Sequence, residues 1–166
     1  ARRCGAFVNL IPLHPGGEVL DGVRVVEISS WTYVPSAGAI LADWGATVVK
    51  VEPPLGDPQR GLVHAGVTHA EGLAYPFEIW NRGKSSIGID LKHPDSVGVV
   101  ERLVRSADVL LTNHLPAQQK RFGIDPGTVH AVNPAVVHAS GSGYGPRGHE
   151  ADRSGFDSIT FWSRAG

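Results

Sequence analysis

The chain has 166 residues, of which 42% are hydrophobic and 19% charged, so it can bury one sizeable core and has an ordinary globular composition. Its 15 basic and 16 acidic residues give a net charge of −1, which excludes a general electrostatic attraction to nucleic acid or to an anionic membrane. No apolar stretch approaches the roughly 20 residues of a membrane span, and the first residues lack the pattern of a signal peptide. We therefore expect a cytoplasmic protein.

The cysteine and histidine content gives no indication of a metal site. Cys4 is the only cysteine, so the chain can form neither an internal disulfide nor a cysteine cluster. The 8 histidines are scattered without the short spacings of paired metal ligands. We predict that no metal is bound. The sequence also contains no methionine, even at position 1, which is typical of an excised or processed chain.

The first half of the chain predicts two strands around a helix. Residues 1–19 are rich in Gly and Pro and predict an arm that precedes one α/β domain at residues 20–166. Val23–Ile28 is short and almost continuously apolar, as in a buried strand. The next segment predicts a helix, with Pro35 in its first turn and Gly45 as a left-handed stop before a strand at Thr47–Val51.

The second half continues the alternation of strands and helices. Residues 53–76 predict a long loop of the kind that carries function, because Gly, Pro and His interrupt any periodicity. The helix expected at Asp95–Ser106 has one apolar face, formed by Val97, Val100, Leu103 and Val104. The other predicted elements are strands at Ser86–Leu91, Val109–Thr112 and Val136–Ser140, short helical segments at Ala117–Phe122 and Thr128–Val132, and a helix at Phe156–Arg164. This order predicts an open, mostly parallel Rossmann-like sheet with helices on both faces.

Ligands of such sheets bind beyond the carboxyl ends of the strands. The turn after the first strand lacks the Gly-x-Gly-x-x-Gly of a dinucleotide site, and the later "GSGYG" has its glycines at other spacings. "RGKSS" precedes a strand, whereas the Gly-Lys-Ser of a nucleotide-binding loop opens a helix. The residues permit an extended polyanion held by separate cations such as Lys92, Arg121 and Arg60. We interpret Lys50 and Glu52 as a solvated pair that closes the second strand.

Six blocks of sequence, in order, resemble one known family. They are "LDGVRVVEIS", "ILADWGATVVKVEPPLGDPQR", "NRGKSSIGIDLK", "ADVLLTNHLPAQQKRFG", "NPAVVHASGSGYGPRG" and "RSGFDSITFWSRAG". Together they are similar to the N-terminal portion of family III CoA-transferases, the formyl-CoA, carnitine and bile-acid CoA-transferase group, which includes α-methylacyl-CoA racemase. The resemblance implies coenzyme A as ligand, acyl-CoA and a carboxylic acid as substrates, and an interlocked homodimer in the full-length protein.

The resemblance also implies where CoA binds. The residues that match by position are Thr32, Ile89, Lys92, Asn113, His114, Arg121 and Phe122. The apolar or flat side chains among them suit adenine, and the cations suit the phosphates. The strand end with Glu52, Gly56, Asp57 and Arg60 resembles the family's "KVE-P-GD-R" motif, and we expect it to shape the rim beside the nucleotide without taking part in the reaction.

Three functions remain open from the sequence. A transferase of this family uses an aspartate nucleophile and an aspartyl-CoA intermediate, and the resemblance implies that this aspartate lies beyond Gly166, so that residues 1–166 alone are expected to be inactive. A racemase or isomerase would use Asp157 as an acid-base group with a histidine, for which His130 is the nearest candidate. Asp157 also begins a predicted helix, where an aspartate commonly caps free N–H groups. The third alternative is a non-catalytic half that binds CoA.

Overall fold

The computed structural model describes residues 18–62, 66 and 74–164, without the side chains of residues 157, 158, 163 and 164. Cys4 and all of the predicted arm except its last two residues lie outside this description. The strands are β1 (Arg24–Ile28), β2 (Thr47–Glu52), β3 (Ser85–Gly88), β4 (Val109–Thr112) and β5 (Val137–Ser140). The helices are α1 (Tyr33–Asp43), α2 (Tyr75–Asn81), α3 (Ser96–Arg105), α4 (Pro116–Phe122), α5 (Pro126–Val132) and α6 (Asp157–Arg164), with a 3₁₀ turn at Pro58–Leu62.

The five strands form one parallel sheet in the order β3-β2-β1-β4-β5. The chain runs from the central strand β1 to β2 and β3 on one side and then crosses over to β4 and β5 on the other, so the strand order reverses beside β1. In the register between β1 and β2, Glu27 lies opposite Lys50. The predicted open parallel α/β sheet is therefore confirmed, and its carboxyl edge carries the loops that follow every strand.

Helices pack on both faces of the sheet, as the sequence predicted. On one face, Val26, Ile28 and Leu110 pack with residues of α3, α4 and α5. On the other face, Val25 and Val48 pack with Val34 and Ala42 of α1 and with Leu111. This division follows from the two-residue period of a strand, which sends neighbouring side chains to opposite faces.

Several predicted element boundaries were wrong. The segment at residues 53–76 was expected to be loop throughout, but it contains the 3₁₀ turn and the start of α2, where Pro76 occupies the first turn that tolerates proline. The third strand ends at Gly88 and does not reach Leu91. Val97 is 41% exposed and does not belong to the buried face of α3.

Within the described residues, no helix is long and apolar enough to cross a membrane.

Candidate functional site

A cleft of about 1410 Å³ opens at the carboxyl edge of the sheet. It lies between the loops that follow β1, β4 and β5 and the start of α6. Its aromatic lining comprises Trp31, Tyr33, Tyr144, Phe156 and Phe161. The rings of Trp31 and Phe156 meet edge to face with their centroids 5.6 Å apart, which joins the β1 loop to the start of α6.

Three of the predicted site residues line this cleft together. Thr32 comes from the β1 loop, and Asn113 and His114 come from the loop after β4. The Asn113 side chain is held by the backbone of Ser30: its Nδ2 donates to the Ser30 carbonyl at 2.7 Å, and its Oδ1 accepts from the Ser30 N–H at 3.1 Å. Asn113 therefore ties the β4 loop to the β1 loop.

The other four predicted residues do not line the cleft. Phe122 is only 8% exposed and belongs to the core under α3 and α5, and Ile89 packs against that same core. Lys92, after β3, and Arg121, in the last turn of α4, are exposed, and neither forms an ion pair within the described part of the chain. Phe122 packs beneath a cleft residue, because its ring meets that of His114 edge to face with the centroids 5.3 Å apart.

The surroundings of His114 favour the neutral form of its ring. Burial lowers the pKa of its imidazole, and the hydrogen bond with the Gln118 side chain, which acts in the opposite direction, is the smaller influence. A neutral ring carries no charge and has one donor and one acceptor nitrogen, and the Gln118 side chain engages one of the two.

The two candidates for acid-base chemistry are placed differently. Asp157 is the first residue of α6, and its neighbours Gly155, Phe156 and Thr160 line the cleft. The side chain of Asp157 is outside the description. His130 is not among the cleft residues, and its Nε2 lies 3.1 Å from the carbonyl oxygen of Val136.

Sequence reasoning missed several residues of the cleft. Trp31, Tyr144, Arg147 and His149 all line it. The last three belong to the loop that follows β5, from which no candidate was drawn because its glycine spacing does not fit a nucleotide-binding loop. The useful signal was its position, because a polar loop after a parallel strand lies at the ligand-binding edge.

Lys50 and Lys84 are buried in one ion network with Glu27 and Asp57. Lys50 Nζ is 3.0 Å from Glu27 Oε1 and 3.0 Å from Asp57 Oδ2, while Lys84 Nζ is 2.7 Å from Glu27 Oε2. All four side chains are at most 2% exposed. The interpretation of Lys50 and Glu52 as a solvated pair is therefore wrong: both are buried, and the strand register pairs Lys50 with Glu27.

Glu52 forms a separate pair with Arg60. Arg60 donates from Nε and Nη2 to the two carboxylate oxygens at 2.8 and 2.9 Å, and its guanidinium lies 3.5 Å from the centre of the Phe77 ring. Burial by itself would raise the pKa of Glu52, but hydrogen bonds from Arg60, Ser86 and the Asp57 N–H outweigh burial and lower it to about 2. Arg60 is thus engaged within the protein, so less of its guanidinium is available to a polyanionic ligand than the sequence suggested.

The β1–α1 loop, Ser29–Thr32, is fixed at every residue by a side chain from elsewhere. Lys50 Nζ donates to the Ser29 carbonyl at 3.0 Å, and Asn113 holds Ser30 as described. The N–H of Trp31 donates to Asp57 Oδ1 at 3.3 Å, and Gln59 Nε2 donates to Thr32 Oγ1 at 2.9 Å. Trp31 has a φ of +69°, a left-handed conformation that costs a non-glycine residue about 1 to 3 kcal/mol. The surrounding bonds stabilise that conformation.

Residues 20–166 match the model of CoA-transferase family III. The chain belongs to that family. This match spans the whole sheet, the cleft and the ion network, so the likeness suggested by the six blocks extends to the complete described domain. The strand-end motif of this family is also present. Its members Glu52, Asp57 and Arg60 form hydrogen bonds with one another, and Asp57 also accepts from the Trp31 N–H of the β1–α1 loop.

Individual relatives support the same assignment. The family III chain is 39% identical over 141 residues to a succinyl-CoA–D-citramalate CoA-transferase of Chloroflexus aurantiacus, covering 84% of the chain and 34% of that protein. It is 40% identical over 145 residues to a succinate–glutarate CoA-transferase of Agrobacterium fabrum, covering 84% of the chain and 36% of that protein. The structure of a CAIB/BAIF family protein from Brucella suis matches with a TM-score of 0.80 and 34% identity, over 89% of the chain and 39% of that protein. The chain thus spans about a third of the length of the curated relatives it matches.

Proposed function

We propose that this chain is the CoA-binding part of an enzyme that moves CoA from an acyl-CoA to a carboxylic acid. The observation that carries the proposal is the cleft at the carboxyl edge of a family III domain, lined by Thr32, Asn113 and His114. An open cleft of this kind accommodates a long ligand that crosses several strand ends. The Chloroflexus aurantiacus and Agrobacterium fabrum relatives are CoA-transferases by name, and their names include succinate and glutarate.

The proposal divides the ligand between the cleft and two cations outside its lining. Lys92 and Arg121 are exposed and unpaired within the described residues, so they are available to the phosphates of CoA. The neutral ring of His114 and the hydroxyl of Thr32 supply hydrogen bonds without charge, which suits the amide-bearing pantetheine arm. Phe122 supports the His114 ring from the core.

The reaction we propose runs through an aspartate. A carboxylate attacks the thioester carbonyl of the acyl-CoA and forms a mixed anhydride, releasing the CoA thiolate. The thiolate attacks the aspartyl carbonyl, which gives an aspartyl-CoA thioester and frees the first acid. The acceptor carboxylate then attacks that thioester, and a second exchange passes CoA to the acceptor and regenerates the aspartate. The resemblance assigns this aspartate to a Gly-Asp turn outside residues 1–166.

The CoA site is tested with Lys92→Ala and Arg121→Ala. Each variant is expected to weaken CoA binding by about 1 to 3 kcal/mol, or roughly five- to 150-fold in Kd, because each removes a charged contact with phosphate. The Kd is measured by calorimetric titration with CoA. Lys120→Ala is the matched control, since Lys120 is an exposed lysine of the same helix as Arg121 and we assign it no contact. Affinities unchanged in both variants would contradict the assignment.

A further inference from the structure

The inference concerns Asp57 and Gln59, which lie in the segment after β2 and are both buried. Neither was expected to act on a ligand, and neither lines the cleft. Each, however, bonds to one residue that does: Asp57 accepts from the Trp31 N–H, and Gln59 donates to the Thr32 hydroxyl. We propose that Asp57 and Gln59 are positioning residues, which set the affinity for CoA by holding Trp31 and Thr32 against the cleft. This inference rests on the proposed function.

The geometry gives each residue a separate task. Asp57 Oδ1 also accepts from the Gln59 N–H at 2.9 Å, while its Oδ2 pairs with the buried Lys50, so the carboxylate cannot turn away from the loop. The N–H that donates to Asp57 Oδ1 belongs to Trp31, the residue of that loop with a left-handed backbone conformation. A backbone conformation of this kind persists only where its surroundings impose it. Asp57 therefore opposes relaxation of the loop.

Gln59 acts on the adjacent residue. The side chain is 3% exposed, and its Nε2 reaches the Thr32 hydroxyl at 2.9 Å. Its Oε1 is buried and has no hydrogen-bond partner among the described residues. Leaving a buried amide oxygen unsatisfied is unfavourable, and an apolar side chain of similar length would avoid that penalty. The polar side chain of Gln59 thus lowers the stability of the fold. We attribute its presence to its role in orienting the Thr32 hydroxyl.

The test replaces Gln59 with methionine, which is unbranched and of similar length. Gln59→Met is expected to weaken CoA binding by up to about fivefold, because a Thr32 hydroxyl that is no longer held in place can lose at most its own hydrogen bond to CoA. Thr32→Val breaks the same bond from the other side but also removes the hydroxyl that we propose contacts CoA, so Gln59→Leu replaces Gln59→Met if the latter does not fold. If Gln59 acts through Thr32, the double variant binds CoA no more weakly than Thr32→Val alone. A merely structural role would make the two losses add.

The control is Thr128→Val, which removes a hydroxyl bonded to Asp125 Oδ2 at 2.7 Å on α5, away from the cleft. It is expected to lower stability but leave the Kd for CoA unchanged, which separates stability from affinity. Hydrogen–deuterium exchange without CoA gives a second readout, in which Gln59→Met should accelerate exchange at Trp31 and Thr32.

Two outcomes overturn the inference in different ways. If the wild-type protein binds CoA and Gln59→Met binds it equally well, the positioning role is wrong and the proposed function stands. If the wild-type protein does not bind CoA, both are wrong, whatever the exchange rates show. Weaker binding by Gln59→Met together with additive losses in the double variant would also overturn the inference, because Gln59 would then act by another route.

Discussion

Lys50→Met is expected to lower the free energy of unfolding by about 3 to 5 kcal/mol, the usual loss when one partner of a buried ion pair is removed. Lys50 is 1% exposed and neutralises Asp57 Oδ2, for which the described residues provide no other cation within ion-pair distance. Glu27 would keep Lys84, but the buried Asp57 would be left without an ion-pair partner among the described residues. The β1–α1 loop would also lose the bond from Lys50 to the Ser29 carbonyl.

The measurement is urea unfolding followed by circular dichroism, with the free energy extrapolated to zero denaturant. Lys120→Met is the control, because the same substitution at an exposed lysine of α4 should change stability by less than about 0.5 kcal/mol. Equal stability of Lys50→Met and the wild-type protein would show that the network does not stabilise the fold.

Gly38→Ala is expected to destabilise the protein by roughly 2 kcal/mol, although alanine favours helices over glycine. Gly38 lies within α1, and a Cβ built there would be only 2.0 Å from Glu27 Oε2 and 3.1 Å from Lys84 Nζ. These atoms belong to a buried ion pair that cannot swing toward solvent. The added methyl group would therefore push the carboxylate away from Lys84.

Gly98→Ala supplies the matched control. Gly98 lies within α3, and a Cβ there would meet no atom within 4 Å. Its replacement should stabilise the protein by up to about 1 kcal/mol through helix propensity alone. Opposite signs for the two glycines in thermal unfolding would support the steric argument, and stabilisation by both would refute it.

The fold could be predicted from the sequence because its signals are local. β1, β2 and β4 are short apolar runs, and Gly45 adopts the left-handed conformation expected at the end of the first helix. α2 was missed because it has only 7 residues and begins inside a segment rich in Gly, Pro and His. Its stabilising contact, Arg60 over the Phe77 ring, joins residues far apart in sequence.

The candidate site could be predicted only in part. Thr32, Asn113 and His114 follow strand ends, so topology brings them to one edge. The ion network could not be found by reading along β2, because Lys50 pairs across the sheet with Glu27. A charged residue within each of two buried apolar strands was the available signal, since burial requires a partner. The left-handed backbone of Trp31 has no local signal, because tertiary hydrogen bonds impose it.

The central claim is that CoA binds at the carboxyl edge of this sheet, and it is tested most directly by an NMR titration of the ¹⁵N-labelled protein with CoA. The account predicts saturable shifts of the backbone amide signals at Thr32, Asn113 and His114, with little change at Val23 and Ala46 on the opposite edge. Absence of saturable shifts, or shifts confined to the opposite edge, would contradict it.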